Sequence, residues 1–166
     1  KLEIIYLLII IGIIGNFIPF FLISWAEQYI PSSTAGMLMA IGPIITLVMS
    51  HFLTKSDKFT IIKFVSISIG FIGVLFIFST NSFGNLVEYN FIDLIAKFLV
   101  IIAAFGYMLS NIIAYEKLNQ LDSFSITTFA TTFGAIFSIP FFLIDISFNN
   151  YNYSFNYNSI LAVIYL

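Results

Sequence analysis

One amide interrupts the first apolar run of this chain: Asn16, in the segment GIIGNFIP, with Gly12, Gly15 and Pro19 around it. Pro19 lacks the N–H that would bond the carbonyl of Gly15, and an amide in an apolar setting needs partners. Asn16 can therefore bond that carbonyl, or face a cavity and meet a solute. A second break lies at Gly42-Pro43, where proline frees the carbonyl of Met39. Thr46 and Ser50 follow within two turns, and their hydroxyls can bond back to helix carbonyls or line the same cavity. Further along, Tyr107, Ser110 and Asn111 form a polar patch, with Tyr107 and Asn111 four residues apart and so neighbours on a helix. A hydrogen-bonded cluster between helices and contact with a substrate account for them equally. Asp93 and Lys97 have the same spacing, acid before base, and read as an internal ion pair. His51 is the sole histidine and no cysteine is present, so neither a histidine cluster nor thiolates can hold a metal. An interfacial histidine bonded to a neighbour is a plainer account of His51 than a proton-coupling group.

The elements that carry these groups are apolar helices. The chain has 166 residues, 60% hydrophobic and 8% charged, with mean hydropathy +1.06, against about 25% charged in a soluble domain. Hydropathy predicts an all-α membrane protein, a polytopic bundle of five full spans and the start of a sixth, over about 4–26, 33–54, 60–79, 91–115, 123–146 and 157 onward. Ser32, Ser33 or Thr34 is expected to cap the second helix and Ser123 the fifth. Small residues recur on one face of several spans: Ser32, Gly36, Ala40, Pro43 and Ser50; Ser66, Gly70 and Gly73; Ala103, Gly106, Ser110 and Ala114; Thr128, Thr131, Ala135 and Ser138. Such faces let membrane helices approach closely. Trp25 and Tyr29 sit near a predicted boundary, where amphipathic rings favour the headgroup region.

Composition also excludes functions. Six lysines, no arginine and a net charge of -2 leave no basic surface for nucleic acid. Five lysines, Lys1, Lys55, Lys58, Lys63 and Lys117, fall on one side of the predicted bundle and only Lys97 on the other, so the amino-terminal side is expected to be cytoplasmic. No acid lies at mid-membrane to couple a proton, and no HExxH, GxSxG or Walker sequence is present, so no enzyme is expected. The first apolar run is too long for a signal peptide, and Tyr157–Leu166 covers half a crossing, so the chain is expected to be a fragment.

The stretch over roughly 26–79 resembles the EamA-type drug/metabolite transporters. It combines Tyr29-Ile30-Pro31-Ser32-Ser33, a small-residue helix with Pro43, the tetrad Asp57-Lys58-Phe59-Thr60, and Gly70, Gly73 and Val74 in the next span. Asp57 replaces the usual Glu, and Ser66 a usual Gly. AAFGYMLSNIIAYEKL, ending at Glu116-Lys117, is similar to the opening helix of the family's second repeat. The resemblance implies helices three to eight of a ten-helix transporter built from two inverted five-helix repeats. Residues 1–79 would close the first repeat, 80–90 connect them outside, and 91–166 open the second. It further implies secondary transport of small, amino-acid-like or drug-like metabolites by alternating access, in a bacterial inner (plasma) membrane. Asn16, Gly36, Ala40, Pro43, Thr46, Tyr107 and Asn111 are the expected cavity-lining residues. No catalytic residue, metal or cofactor is expected; the partners are the lipid bilayer, a small-molecule substrate and, as a further candidate, a second copy of the chain. Two other functions fit the same features: a flippase for lipids or lipid-linked sugars, and a membrane assembly or sensor subunit that transports nothing.

Overall fold

The computed structural model describes residues 2–54, 60–82 and 91–148. Every regular element among them is helical: α1 (Leu2–Gly12), a π-helical turn (Ile13–Phe17), α2 (Ile18–Ala26), α3 (Ser32–Met39), α4 (Gly42–Leu53), α5 (Ile61–Ser82), α6 (Phe91–Lys117) and α7 (Ser123–Phe148). Apolar side chains dominate each one, and a helix is the open-ended conformation that satisfies its own backbone in hydrocarbon. Leu2–Ala26, Ser32–Leu53, Phe91–Lys117 and Ser123–Ile144 are long and apolar enough to cross a bilayer. Helix α5 is apolar over Ile61–Gly73. The expected sixth span, the Asp57-Lys58-Phe59 part of the tetrad and most of the 80–90 connection lie outside the described residues.

Helix α6 is the hub. It touches α1, the π-turn, α2, α3 and α4, while α7 packs on α1 and the π-turn, and α5 on α3 and α4. The reason is the size of its side chains. Ala96, Val100, Ala103 and Ala104 are fully buried on α6, and such small residues let neighbouring backbones come close enough for dispersion to hold them. Two apolar clusters result. At the end distant from Leu2, Ala26, Ile30 and Ala35 pack on Ala96 and Val100, with Trp25, Leu38 and Met39 around them. At the near end, Leu8 and Ile11 pack on Leu118 and Ala130.

Of the four small-residue faces, the one on α6 is the main packing surface: Ala103 and Ser110 are buried, and Gly106 meets Ile14 and Pro19. The others are displaced from their neighbours among the described residues. Gly36 and Pro43 are exposed; of the expected face Ser50 is buried, beside Ala35, Gly42, Leu47 and Met49, which lie off it. Gly70 and Gly73 of α5 have nothing within 4 Å of a Cβ built on them. Helix α7 meets α1 through Ala130 and Gly134, one position away from its hydroxyl face, where Thr128, Thr131, Ala135 and Ser138 are exposed. Those hydroxyls need no partner helix, because they donate to carbonyls of α7 itself.

Capping differs from expectation at two ends. Helix α3 begins at Ser32 with no side-chain cap; the carbonyl of Pro31 accepts the N–H of Thr34 at 2.8 Å and of Ala35 at 3.2 Å. Helix α7 is capped by Asp122, not Ser123: the Ser125 N–H donates to Asp122 Oδ2 at 3.0 Å. Asp93 and Lys97 form the expected ion pair, 2.7 Å apart. Trp25 and Tyr29 lie ring against ring, with centroids 4.7 Å apart.

Two predictions follow from this packing and capping. A Cβ at Gly12 would sit 2.7 Å from the Ala130 carbonyl oxygen and 2.9 Å from Phe133 Cβ, and helix backbone cannot yield locally. Gly12→Ala is expected to lower stability by about 1–3 kcal/mol, whereas Gly70→Ala should leave it unchanged or slightly raised; thermal unfolding in detergent checks both. The Ser125 hydroxyl, and then its backbone N–H, hold the Asp122 carboxyl below its ordinary pKa. A lowered folded-state pKa gives stability that is present above the unfolded value, about pH 4, and is lost as pH falls through the folded value. Asp122→Asn should keep a capped helix while flattening that acid-side loss in a pH series of melting temperatures.

Candidate functional site

The π-turn is where the first span departs from regular helix. Its hydrogen bonds reach back five residues, with the Ile18 N–H donating to the Ile13 carbonyl. In that register Pro19 would serve the carbonyl of Ile14, and it has no N–H to give. The Ile14 oxygen lies instead against Gly106 of α6, 3.0 Å from where a Cβ would be. Any larger residue at position 106 would press on this oxygen, so glycine is what lets the two backbones come this close. One turn away Gly15 packs on Ser110, so closely that any side chain at residue 15 would overlap it. The Ser110 hydroxyl donates to the Tyr107 carbonyl at 2.8 Å, so its proton is already committed.

Beside this turn, on the α7 side, opens a groove of about 830 Å³ between α2 and α7. Asn16 is at its inner end, against Gly134, where a Cβ would approach Asn16 Cβ to 2.9 Å. Among the described residues no hydrogen bond engages the Asn16 side chain, so it does not bond the Gly15 carbonyl. Its amide is half-buried and lines the groove. Ser24, Gln28, Thr131 and Ser138 add polar atoms along the two walls. Aromatic rings make up much of the rest: Phe17, Phe21 and Phe141 form a packed triangle with centroids 5.0 to 6.1 Å apart, joined by Phe20, Trp25 and Phe142. The volume suits one small molecule, and an apolar lining with a few polar groups is the usual make-up of such a site.

The second break takes the opposite form. The chain tightens at Ala40 and Ile41, with ψ of -10° and -14°, and Ile41 and Ile44 donate to carbonyls three residues back. Pro43 then occupies the first turn of α4, where a missing N–H is tolerated. Pro43 and Gly36 are exposed and Ala40 half-buried, and none of the three lines the groove. Thr46 donates to the Gly42 carbonyl at 3.0 Å, and Ser50 to Leu47 at 3.1 Å, so both hydroxyls bond backward along their own helix. The α6 patch is divided. Ser110 faces Gly15, while Tyr107 and Asn111 are exposed. Asn111 lines a second cavity of about 600 Å³, formed with Glu116, Asn119, Ser123 and Thr127 where α6 turns into α7. The structure thus brings Asn16 to the groove and leaves the other six expected residues elsewhere.

Several groove residues were not singled out from the sequence. Ser24 and Gln28 lie eight and twelve residues beyond Asn16, a polar line that the apolar and aromatic residues around it obscure. Phe141 and Phe142 follow Pro140, a proline inside α7 whose significance the spacing could have raised. Thr131 and Ser138 were recognised as small residues for packing, and they form wall instead.

A bundle of membrane-length helices with prolines inside its spans defines the class: a polytopic α-helical integral membrane protein. Residues 1–79 match the EamA-like transporter family, so this part of the chain is similar to EamA-type membrane transporters. No curated protein and no solved structure matches the chain.

The natural absence of cysteine makes the groove testable by labelling. Ser24→Cys and Ser138→Cys are expected to react with a membrane-impermeant thiol reagent in proteoliposomes, while Ile69→Cys and Ile72→Cys on α5 stay unlabelled. Equal labelling of both pairs would remove the groove as an aqueous site.

Proposed function

We propose that this chain is part of a secondary transporter that carries small metabolites by alternating access, with the groove between α2 and α7 as part of its substrate site. The observation that carries this reading is Asn16: an amide without a hydrogen-bond partner among the described residues, within the π-turn, at the inner end of a cavity of small-molecule size. A mid-membrane polar group of this kind is costly unless something polar meets it. The π-turn supports the motion that alternating access requires. Its carbonyl ladder is already open at Ile14, so rotating α2 against α1 breaks fewer hydrogen bonds than bending a regular helix would. The tightened turn at Ala40 and Ile41 offers a second hinge at similar depth in the next span.

In this reading the amino-terminal side is cytoplasmic, the membrane is a bacterial inner membrane, and residues 1–79 and 91–166 belong to two inverted repeats. The substrate is an amino-acid-like or drug-like solute. A flippase would need a lipid-sized path, and the polar groups at the inner end of the groove favour a compact solute.

Uptake into proteoliposomes, screened over metabolites with the intact protein, tests the proposal. Asn16→Leu should cut transport of the responding solute roughly tenfold, the worth of one or two hydrogen bonds at the site. Pro43→Leu, which lets the chain run on as regular helix through the tightened turn at Ala40 and Ile41, should slow turnover more than it weakens binding. Unchanged transport in both variants would sink the site.

A further inference from the structure

The groove has a chemical bias beyond its size. Among its described lining residues none is charged: the polar atoms belong to amides and hydroxyls, and the remainder is chiefly aromatic. On α6, Asp93 and Lys97 are paired with each other, and Glu27 is exposed beside Gln28 without lining the groove. An ammonium or carboxylate entering here would shed water and find no counter-charge among the described lining residues, which disfavours it. Aromatic faces can attract a cation, but Phe17, Phe21 and Phe141 are turned onto one another, not around an open centre.

The hydrogen-bonding sense of the α7 wall is also set. A hydroxyl has one proton to donate. Thr131 gives its proton to the Thr127 carbonyl at 2.8 Å, and Ser138 to the Ala135 carbonyl at 2.7 Å. What both offer the groove is an acceptor oxygen. Asn16, on the opposite wall, can both accept and donate. A ligand that satisfies this arrangement must bring N–H or O–H donors to α7 and a flat apolar surface to the rings.

Building on the reading of this groove as the substrate site, we propose that it selects an uncharged aromatic solute that carries hydrogen-bond donors, and rejects ions of either sign. The test is equilibrium dialysis of the purified intact protein against four probes that share one phenyl ring: phenylacetamide, phenylacetate, phenethylammonium and phenylalanine. Phenylacetamide is expected to bind, with the anion, cation and zwitterion roughly a hundredfold weaker. N,N-Dimethylphenylacetamide, which has lost its N–H donors, should bind about fivefold more weakly than the parent amide. Thr131→Val should weaken the parent amide by a similar factor and leave the dimethyl analogue unaffected, a pattern that general misfolding would not produce. If a charged probe binds as well as the amide, and Asn16→Leu weakens it, the groove stands as the site and the uncharged class is overturned. If no probe binds, or if neither Asn16→Leu nor Thr131→Val changes any affinity, both the class and the site are overturned.

Discussion

A backbone carbonyl deprived of its N–H inside a bilayer has no water to turn to. Pro19, Pro43 and Pro140 each impose that condition within a helix long enough to span, and much of the described architecture is an answer to it. The answers differ. At Pro19 the helix widens into a π-turn and hands the orphaned Ile14 oxygen to Gly106 of a neighbouring helix. At Pro43 the helix tightens instead, ends at Met39, and restarts with proline where no donor is needed. One break is therefore settled between helices and the other within one.

That difference determines where the bundle is rigid and where it opens. The Pro19 solution needs Gly106, Gly15 and Ser110 to stay in contact, and it draws α1 and α2 onto α6. Gly12 and Gly134 do the same towards α7 below the turn. Above the turn, α7 has no comparable glycine contact with α2, and aromatic rings stand between the two helices. The groove is the space that results: close backbone contact on one side of Asn16 and bulky side chains on the other.

Much of the fold could be read directly. Span lengths, the two broken helices and the Asp93–Lys97 pair depend on local composition and spacing, which a single sequence displays. The packing face of α6 was legible because its alanines, glycine and serine recur at helical period and face several neighbours at once. The faces of α3, α5 and α7 were less so, since a small residue marks an ability to approach and not the presence of a partner. On α7 the two readings differ by one residue, Ala130 and Gly134 against Thr131 and Ala135, a rotation that periodicity does not resolve. The site suffered from the same ambiguity. Asn16 was identifiable because an amide there is expensive, whereas Ser24, Gln28 and Ser138 acquire meaning only when α2 and α7 are set side by side.

The hub position of α6 carries a consequence for how the protein is made. The alanines that receive α2 lie some seventy residues further along the chain, so they emerge from the ribosome well after α1 and α2 have entered the membrane. Until then the Ile14 carbonyl lacks its contact with Gly106, which is not yet synthesised. The first span must therefore be held, or wait, in an incompletely satisfied state. Translation speed through residues 91–117 thus sets how long that state lasts.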